Sequence, residues 1–470
     1  MKMMRRVPVV AALAVLASTA LAACGGDSND SGGGDGGGTT ITLWTLEDVQ
    51  SRVDATKQIA ADFTAKTGTE VKIVQVAEDN FSSLLTSSAG SGDLPDVIAA
   101  LGLSGVNEMS ANQLLDTDMA TKIVGDLGAD TFSPRALSLT QDPDGTQLAV
   151  PSDGWAQLLF YRKDLFDAAG LAPPTTYDSI EQAAKTLDSD AVAGITAATA
   201  PGDSFTQQTF EHVALANNCQ LTNDAGDITL TSKECVDSFG WYADLMKQYG
   251  PAGNQDVDTT RATYFAGKAA MLIWSSYLLD ELAGLRDDAL PTCEKCKDDP
   301  RWLSDNTGIV SAIQGPDGSQ PAQYGEITSW TIPTDADPAT ADFVEYMMND
   351  RYVDWLALAP EGKVPVRKGT AADPTKFIDA WPKLKTGEDR KAPLDSLYDA
   401  ETIKAIADSP DTFQRWGFEQ GQGALAGAML SELPVPKALS DEISGGLSAQ
   451  DAAAQAQDDV QRIADSLPPG

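Results

Sequence analysis

The stretch formed by residues 148–171 constrains the fold of this chain more than any other. It begins as a short apolar strand, Pro151 then fixes the backbone, and a polar loop presents Trp155. A second apolar strand follows and runs into a helix that ends at Gly170. A chain needs two strands joined by a stiff turn to leave one lobe and begin another. We therefore predict a hinge between two lobes at this point.

The size and charge of the chain set the broad class of protein. Its 470 residues are more than one hydrophobic core usually fills, so we expect two domains. The formal net charge is −36. An acidic surface of this kind repels nucleic acid and anionic lipid, and we expect no nucleic-acid partner. We interpret the charge as a solvated surface that keeps a monomer soluble.

Residues 1–23 have the layout of a secretory signal peptide, with a basic start, an apolar run and small residues at the end. The four residues before and including Cys24 read Leu-Ala-Ala-Cys and resemble a bacterial lipobox. That resemblance implies lipidation of Cys24 and anchoring to the cell membrane on its extracytoplasmic side. A plain cleaved signal with an incidental cysteine is the alternative. Residues 24–39, rich in Gly, Ser and Asp, are predicted to form a flexible tether.

The other four cysteines form two pairs that are close in sequence. Cys219 and Cys235 flank a predicted hairpin between two helices, where a disulfide would close a short loop. Cys293 and Cys296 form a C-x-x-C loop, which could be a local disulfide, a redox pair or half of a zinc site. No second C-x-x-C or histidine cluster completes four ligands. We therefore favour two disulfides and expect no metal and no cofactor.

Residues 40–150 alternate short apolar strands with amphipathic helices. This order predicts a mostly parallel, doubly wound sheet. Ligands of such sheets bind beyond the carboxyl ends of the strands. The loops that follow Leu43 and Ala100 are therefore candidate parts of a binding site.

Several phrases along the chain resemble those of extracellular solute-binding proteins of the maltose-binding-protein type. The phrases are GDLPDV at residues 92–97, YRKDLF at 161–166 with GLAPPTTY at 170–177, YFAGKAAM at 264–271, EGKVPVR at 361–367 and the helical pattern at 452–464. Each phrase alone is weakly specific, but their order and spacing cover most of residues 39–466. The chain departs from the common pattern at Arg162 and Tyr177, where Asn and Trp are frequent.

The resemblance implies an α/β fold of the two-lobed periplasmic-binding-protein class. Each lobe would be a mostly parallel sheet flanked by helices, and three crossings near residues 150, 327 and 364 would form the hinge. Lobe 1 would then comprise residues 40–150 and 327–363, and lobe 2 would comprise residues 151–326 and 364–470.

Aromatic rings at loop mouths and on crossing strands are candidates for a sugar platform, because sugar C–H groups pack on ring faces. In the family a Trp follows the phrase at residues 264–271. Tyr277 stands at that place here and Trp274 lies three residues earlier, so either ring could face the ligand. The aromatic candidates are Trp44, Trp155, Trp274, Tyr277, Trp330 and Trp416, and the candidate polar partners are Glu47, Asp48, Asn107 and Arg367.

The sequence contains no motif of a zinc protease, a serine hydrolase or a phosphate-binding loop. The one histidine, His212, is predicted to be a structural residue inside a helix. We therefore predict a binding protein and not an enzyme. The resemblance implies a receptor that captures a carbohydrate, in particular an oligosaccharide, and delivers it to the permease subunits of an ABC importer. The alternatives are a surface-anchored carbohydrate-active enzyme and a receptor for a cationic solute such as a polyamine.

Overall fold

The computed structural model describes residues 38–77 and 80–467. The predicted signal peptide, Cys24 and nearly all of the predicted tether lie outside these residues. Within the described ranges, no helix combines the length and the apolar content that a membrane span requires.

Three parallel strands open the fold. Strand β1 (Thr40–Thr45) pairs in parallel with β2 (Glu70–Gln75) on one side and with β3 (Val97–Gly102) on the other. The helices of this part are α1 (Gln50–Thr67), α2 (Phe81–Ser91), α3 (Leu103–Ala111), α4 (Thr117–Leu127) and α5 (Pro134–Leu139). The parallel pairing confirms the strand order predicted for the start of the chain.

One long strand, β4 (Val150–Arg162), runs through both halves of the molecule. Its first half pairs antiparallel with β7 (Gln323–Thr331) and with β8 (Val364–Pro365). Its second half pairs antiparallel with β5 (Met271–Ser275) and β6 (Thr307–Val310). The main strand order is β2-β1-β3-β7-β4-β5. Segments near residues 150, 327 and 364 therefore lie side by side.

Two details of the sheet differ from the sequence-based expectation. We predicted two strands separated by a polar loop around Trp155, but β4 is continuous, with an irregularity between Pro151 and Asp153. The polar residues stay in the strand because partners satisfy them there: the Ser152 hydroxyl donates to the Thr328 carbonyl oxygen. The sheet is also mixed rather than mostly parallel, because β4 pairs antiparallel with every strand beside it.

The second lobe is built mainly of helices. They are α6 (Lys163–Ala169), α7 (Tyr177–Leu187), α8 (Ser204–Ala216), α9 (Lys233–Tyr249), α10 (Val257–Phe265), α11 (Leu278–Leu282), α12 (Trp302–Asp305), α17 (Gly423–Glu432), α18 (Pro434–Ile443) and α19 (Ala449–Ser466). Several of them surround a core that contains Phe210, Phe239, Leu439 and Val460.

The segment between the third crossing and α17 packs differently from the expectation. Its elements, together with those just before it, are α13 (Ala339–Asn349), α14 (Tyr352–Leu356), α15 (Lys376–Ala380), β9 (Lys385–Thr386), β10 (Ala392–Pro393), α16 (Ala400–Asp408) and β11 (Phe413–Gln414). The sequence predicts that residues 364–411 belong to the second lobe, but the two ends of this segment bond to the first lobe, whereas residues 389–398 bond to Leu285 and Leu279 of the second. The Ser133 amide donates to the Val366 carbonyl oxygen at 2.7 Å, and the Ser133 hydroxyl donates to that of Pro410 at 3.0 Å.

Both predicted disulfides are present. Cys219 is bonded to Cys235 and Cys293 to Cys296, and all four residues are buried. The first bridge ties the loop after α8 to the start of α9. Because the sulfurs of the C-x-x-C loop are bonded to each other, they do not act as thiolate ligands in this structure.

Candidate functional site

Alternate residues of β4 and β7 form the floor of the candidate site. Trp155 lies opposite Glu326 across the two strands, and opposed residues project from the same face of a sheet. Asp153, two residues earlier, shares that face. The Trp155 ring centroid is 5.7 Å from that of Tyr324 and 6.4 Å from that of Tyr277. The floor therefore combines aromatic rings with carboxylates.

The opposite face of these strands is closed by the ring of Phe413. A Cβ atom on Gly325 would lie 2.0 Å from that ring, and one on Gly154 would lie 2.9 Å from it. Only glycine allows such a close approach of the ring to the backbone. This packing fixes the direction in which Trp155 and Glu326 project.

Tyr277 reaches the floor from the turn before α11. Its ring rests on the backbone of Gly362, where an added Cβ would lie 1.9 Å from the ring. Burial raises the pKa of Tyr277 above its ordinary value. Trp274, in contrast, is buried, packs on Phe205 and donates its Nε1–H to the Val257 carbonyl oxygen at 3.1 Å. Tyr277, and not Trp274, is the ring that stands beside Trp155.

A buried ionic network, which we call the Arg415 cluster, joins the floor to both lobes. It consists of Arg415, Glu211 on α8, Glu326 on β7 and the amide of Leu103 at the start of α3. Arg415 bonds to Glu326 Oε2 and, at 3.2 Å, to Glu211 Oε1. The Leu103 amide donates to Glu326 Oε1 at 2.7 Å.

The carboxylates of the Arg415 cluster keep its guanidinium charged. Burial alone would lower the pKa of Arg415, but the charges of Glu326 and Glu211 hold it above its ordinary value. The guanidinium also lies 4.5 Å from the Tyr324 ring centroid, so it contacts one ring of the aromatic floor. Arg415 is therefore a fixed support for the rings and for Glu326.

A second ionic network, the Arg52 cluster, lies beside Tyr277. Arg52 on α1 contacts Glu388 at 2.9 Å, Glu361 at 3.4 Å and Glu47 at 3.8 Å. Burial opposes the charge of Arg52, but the carboxylates, Glu361 first, raise its pKa above the ordinary value. This network connects the loop after β1 to the segment around the third crossing.

Asp280 on α11 is a buried carboxyl group close to the Arg52 cluster. It is 1% exposed, and neither of its oxygens has a hydrogen-bond partner among the described residues. Burial, and then the charge of Glu361, raise the pKa of Asp280 to about 9. The group is therefore neutral at pH 7. No group of three or more metal-ligating side chains occurs in the part of the chain that the structure describes.

Three of the predicted tryptophans lie in apolar surroundings. Trp44 is 5% exposed and packs in a small core with side chains of α2 and β3. Trp330 is fully buried, with its ring centroid 4.7 Å from that of Trp355. Trp416 is 1% exposed and donates its Nε1–H to the Cys219 carbonyl oxygen at 2.8 Å. The structure does not bring these rings to the floor.

Arg367 lies in the interior and satisfies two helix ends. Its Nη atoms donate to the carbonyl oxygens of Leu127, the last residue of α4, and Met348 on α13, each at 2.6 Å. Burial lowers the pKa of Arg367 to about 10. The side chain therefore closes helix termini rather than facing the floor.

The remaining polar candidates lie on the loop after β1 and on α3. Glu47 is partly exposed and belongs to the Arg52 cluster, and Asp48 is exposed on the same loop. Asn107 is half-buried on α3 and donates to the Leu103 carbonyl oxygen at 2.9 Å.

Sequence reasoning missed Asp153, Tyr324, Glu326 and Arg415. A signal existed for Glu326, because a charged residue interrupts the otherwise apolar and small-residue strand of the second crossing. Arg415 is adjacent to Trp416 in the sequence, but local sequence does not reveal which of the two faces a site. Tyr324 and Glu211 contact Arg415 only because the fold brings distant parts of the chain together.

Residues 49–354 match the family model of bacterial extracellular solute-binding proteins. The chain is 28% identical over 379 residues to YcjN of Escherichia coli (strain K12), named as an ABC transporter periplasmic-binding protein, and the match covers 79% of this chain and 82% of that protein.

A shorter match, 27% identical over 165 residues, is to the sn-glycerol-3-phosphate-binding periplasmic protein UgpB of Rhizobium meliloti (strain 1021) and covers 32% of this chain and 37% of that protein. The fold matches that of maltose-bound MalE3 from T. maritima with a TM-score of 0.67 and 17% identity, over 90% of this chain and 100% of that chain. The structural match confirms the predicted two-lobed α/β fold.

Proposed function

The chain belongs to the family of bacterial extracellular solute-binding proteins, and from this premise we propose that it captures a carbohydrate between its lobes and delivers it to an ABC import permease. The membership confirms the family that the sequence motifs indicated. It also confirms that the chain is a solute-binding protein and not an enzyme. What we propose beyond this is that the solute is a carbohydrate and that the chain passes it to a permease.

The observation that carries the proposal is the pairing of Trp155 with Tyr277 over a floor of carboxylates. The two ring centroids are 6.4 Å apart and both rings are partly exposed. A sugar ring presents C–H groups to aromatic faces and hydroxyl groups at its edge. Glu326, whose side chain is 10% exposed, lies on the same face as Trp155, where its oxygens can accept hydroxyl hydrogen bonds. A polar, uncharged, ring-shaped solute fits this combination.

We assign the predicted site residues to two roles. Trp155 and Tyr277 contact the solute, Glu47 and Asp48 approach it from the loop after β1, and Asn107 approaches from α3. The other candidates, which are Trp44, Trp274, Trp330, Trp416 and Arg367, hold the walls in place. This assignment follows from their burial and, for Trp274, Trp416 and Arg367, from their bonds to backbone carbonyl groups.

Capture is proposed to involve rotation of the lobes about β4, β7 and β8. These three segments are the crossings at which we divide the chain into lobes, and β7 and β8 both pair with β4. A solute held between the lobes touches both, so it stabilises the closed arrangement. Residues 366–368 and Pro410 would move with the first lobe, since they bond to Thr131 and Ser133.

Lipid anchoring at Cys24 is a separate part of the proposal. It is supported by the lipobox-like residues that end at Cys24 and by the Gly-rich segment that follows. The wild-type protein should partition into the detergent phase of a Triton X-114 extraction when it is made in a bacterium that acylates lipoproteins. The Cys24→Ser variant should move to the aqueous phase. Equal partitioning of the two proteins would remove the anchor from the proposal.

A phosphate ester is the second candidate solute, because part of the chain matches a protein named for sn-glycerol 3-phosphate. Its phosphate would need uncommitted cations or free helix N-termini in the site. The cations that line the floor are already bonded to carboxylates, so the geometry favours the neutral carbohydrate.

A thermal-shift screen of the full-length protein tests the proposed solute class. The panel contains mono- and oligosaccharides, polyols, polyamines and divalent metal ions. A carbohydrate at a hundred times its dissociation constant should add roughly 2.7 kcal/mol to the free energy of unfolding. A shift with polyamines or metal ions, and with no carbohydrate, would contradict the proposal.

A further inference from the structure

The first turn of α3 borders the floor of the site. The N-terminus of a helix carries unpaired amide groups and a partial positive charge, and it is a common place for anions to bind. Here the amide of Leu103 donates to Glu326 Oε1 at 2.7 Å. The protein's own carboxylate therefore occupies the position that the anionic group of a solute would use.

Glu326 is held firmly in that position. Its side chain is 10% exposed, and its Oε2 accepts hydrogen bonds from Arg415 and, at 3.3 Å, from the Tyr324 hydroxyl. Moving the carboxylate away would break contacts on both oxygens at once and would leave Arg415 with only Glu211. Buried charges that lose a partner are strongly disfavoured. A solute cannot displace Glu326 without that loss.

The cations around the floor are also bonded to carboxylates of the protein. Arg415 bonds to Glu211 and Glu326, Arg52 to Glu361 and Glu388, and Lys363 to Asp153 at 3.5 Å. Each of these three cations has at least one carboxylate partner within the described chain. A phosphate placed on the floor would face carboxylates that already hold the positive charges.

We propose that Glu326, fixed by Arg415 over the start of α3, excludes anionic solutes, so that the site accepts neutral carbohydrates and rejects their phosphate esters. This inference rests on the proposed function and makes it narrower. Like charges brought together in a site disfavour the wrong partner strongly, which is how a binding protein can discriminate without new attractive contacts.

Matched pairs of solutes test the proposal by calorimetric titration of the full-length protein. The pairs are maltose and maltose 1-phosphate, glucose and glucose 6-phosphate, and glycerol and sn-glycerol 3-phosphate. We expect at least one neutral member to bind and its ester to bind at least about a hundredfold more weakly. An ester that binds as tightly as its neutral partner overturns the exclusion but leaves the solute receptor standing. Binding of no carbohydrate at all overturns the proposed function together with this inference.

The Glu326→Gln variant tests the assigned residue. Glutamine keeps the size of the side chain and an oxygen for the Leu103 amide, but it removes the negative charge. The ratio of the two affinities should fall at least tenfold in this variant. Glu419→Gln, which removes a charge from a carboxyl that is 56% exposed and pairs with Arg135, is the matched control and should keep the wild-type ratio. An equal fall in both variants would assign the discrimination to overall charge and overturn the role of Glu326. The comparison of wild-type solute pairs holds even if the variant does not fold.

Discussion

The Arg415 cluster and the Arg52 cluster contain the same residue types but differ in burial. The side chains of Arg415, Glu211 and Glu326 are 3%, 6% and 10% exposed. In the Arg52 cluster, Glu388 is 16% and Glu47 is 19% exposed. Glu361 is 1% exposed, so water can replace a lost partner at Glu388 and Glu47 but not at Glu361 or in the Arg415 cluster.

The surroundings of the two clusters differ as well. Both oxygens of Glu326 are bonded, whereas Asp280, close to the Arg52 cluster, has no partner on either oxygen among the described residues. A buried network with its groups paired fixes geometry, and an unpaired carboxyl instead makes stability depend on pH. The Arg415 cluster therefore fixes the positions of side chains, whereas the region around the Arg52 cluster makes the free energy of unfolding depend on pH through Asp280.

Replacing Arg415 by Met should have the largest effect. The substitution keeps most of the volume but leaves Glu211 and Glu326 buried without their cation. We expect a loss of about 3–5 kcal/mol in the free energy of unfolding, measured by chemical denaturation at pH 7. A loss under about 1 kcal/mol would show that the two carboxylates do not depend on Arg415.

Asp280→Asn should stabilise the protein at neutral and alkaline pH. The pKa of Asp280 is raised from 3.8 to about 9, so the folded state keeps a proton that the unfolded state has released. The stability that this group contributes is complete below pH 3.8 and is lost as pH rises towards 9, by at most about 1.4 kcal/mol per pH unit. We expect the variant to gain about 2 kcal/mol at pH 8 and little at pH 4.

The control for this prediction is the shape of the pH dependence. Denaturation curves for wild-type protein and for Asp280→Asn, collected from pH 4 to pH 9, should diverge as pH rises. Parallel curves would mean that Asp280 does not titrate in this range. Such curves would contradict the claim that the region of the Arg52 cluster, and not the Arg415 cluster, makes stability depend on pH.

Replacing Arg52 by Met should have a smaller effect than the same change at Arg415. Glu47 and Glu388 can turn to water, and Glu361 keeps the hydroxyl of Thr386. We expect a loss of about 1–2 kcal/mol under the same conditions. A loss equal to that of Arg415→Met would contradict the claim that the difference in burial between the two clusters sets the size of the effect.

Much of the fold could be predicted because its signals are local. Strands and helices alternate over residues 40–150, and the spacing of the cysteines indicates both bridges. The division of roles between Trp155 and Trp330 could not be predicted. Trp330 lies four residues after Glu326 on β7, so the alternation of the strand places it on the same side as the floor. The rings of Phe343 and Trp355 from distant helices cover it.

The role of Arg367 shows the same limit. Local sequence presents a cation just after a crossing, which is typical of a ligand partner. The carbonyl groups that it satisfies belong to Leu127 and Met348, which reach it only through the packing of α4 and α13. Long-range contacts of this kind leave no trace in spacing or composition.

The most direct test of the account is a calorimetric titration of Trp155→Ala with the carbohydrate that the screen identifies. Because the ring is partly exposed on the floor, its removal should weaken binding at least about tenfold while the protein stays folded at the titration temperature. Unchanged affinity in a folded Trp155→Ala protein would contradict the placement of the solute on the floor formed by β4 and β7.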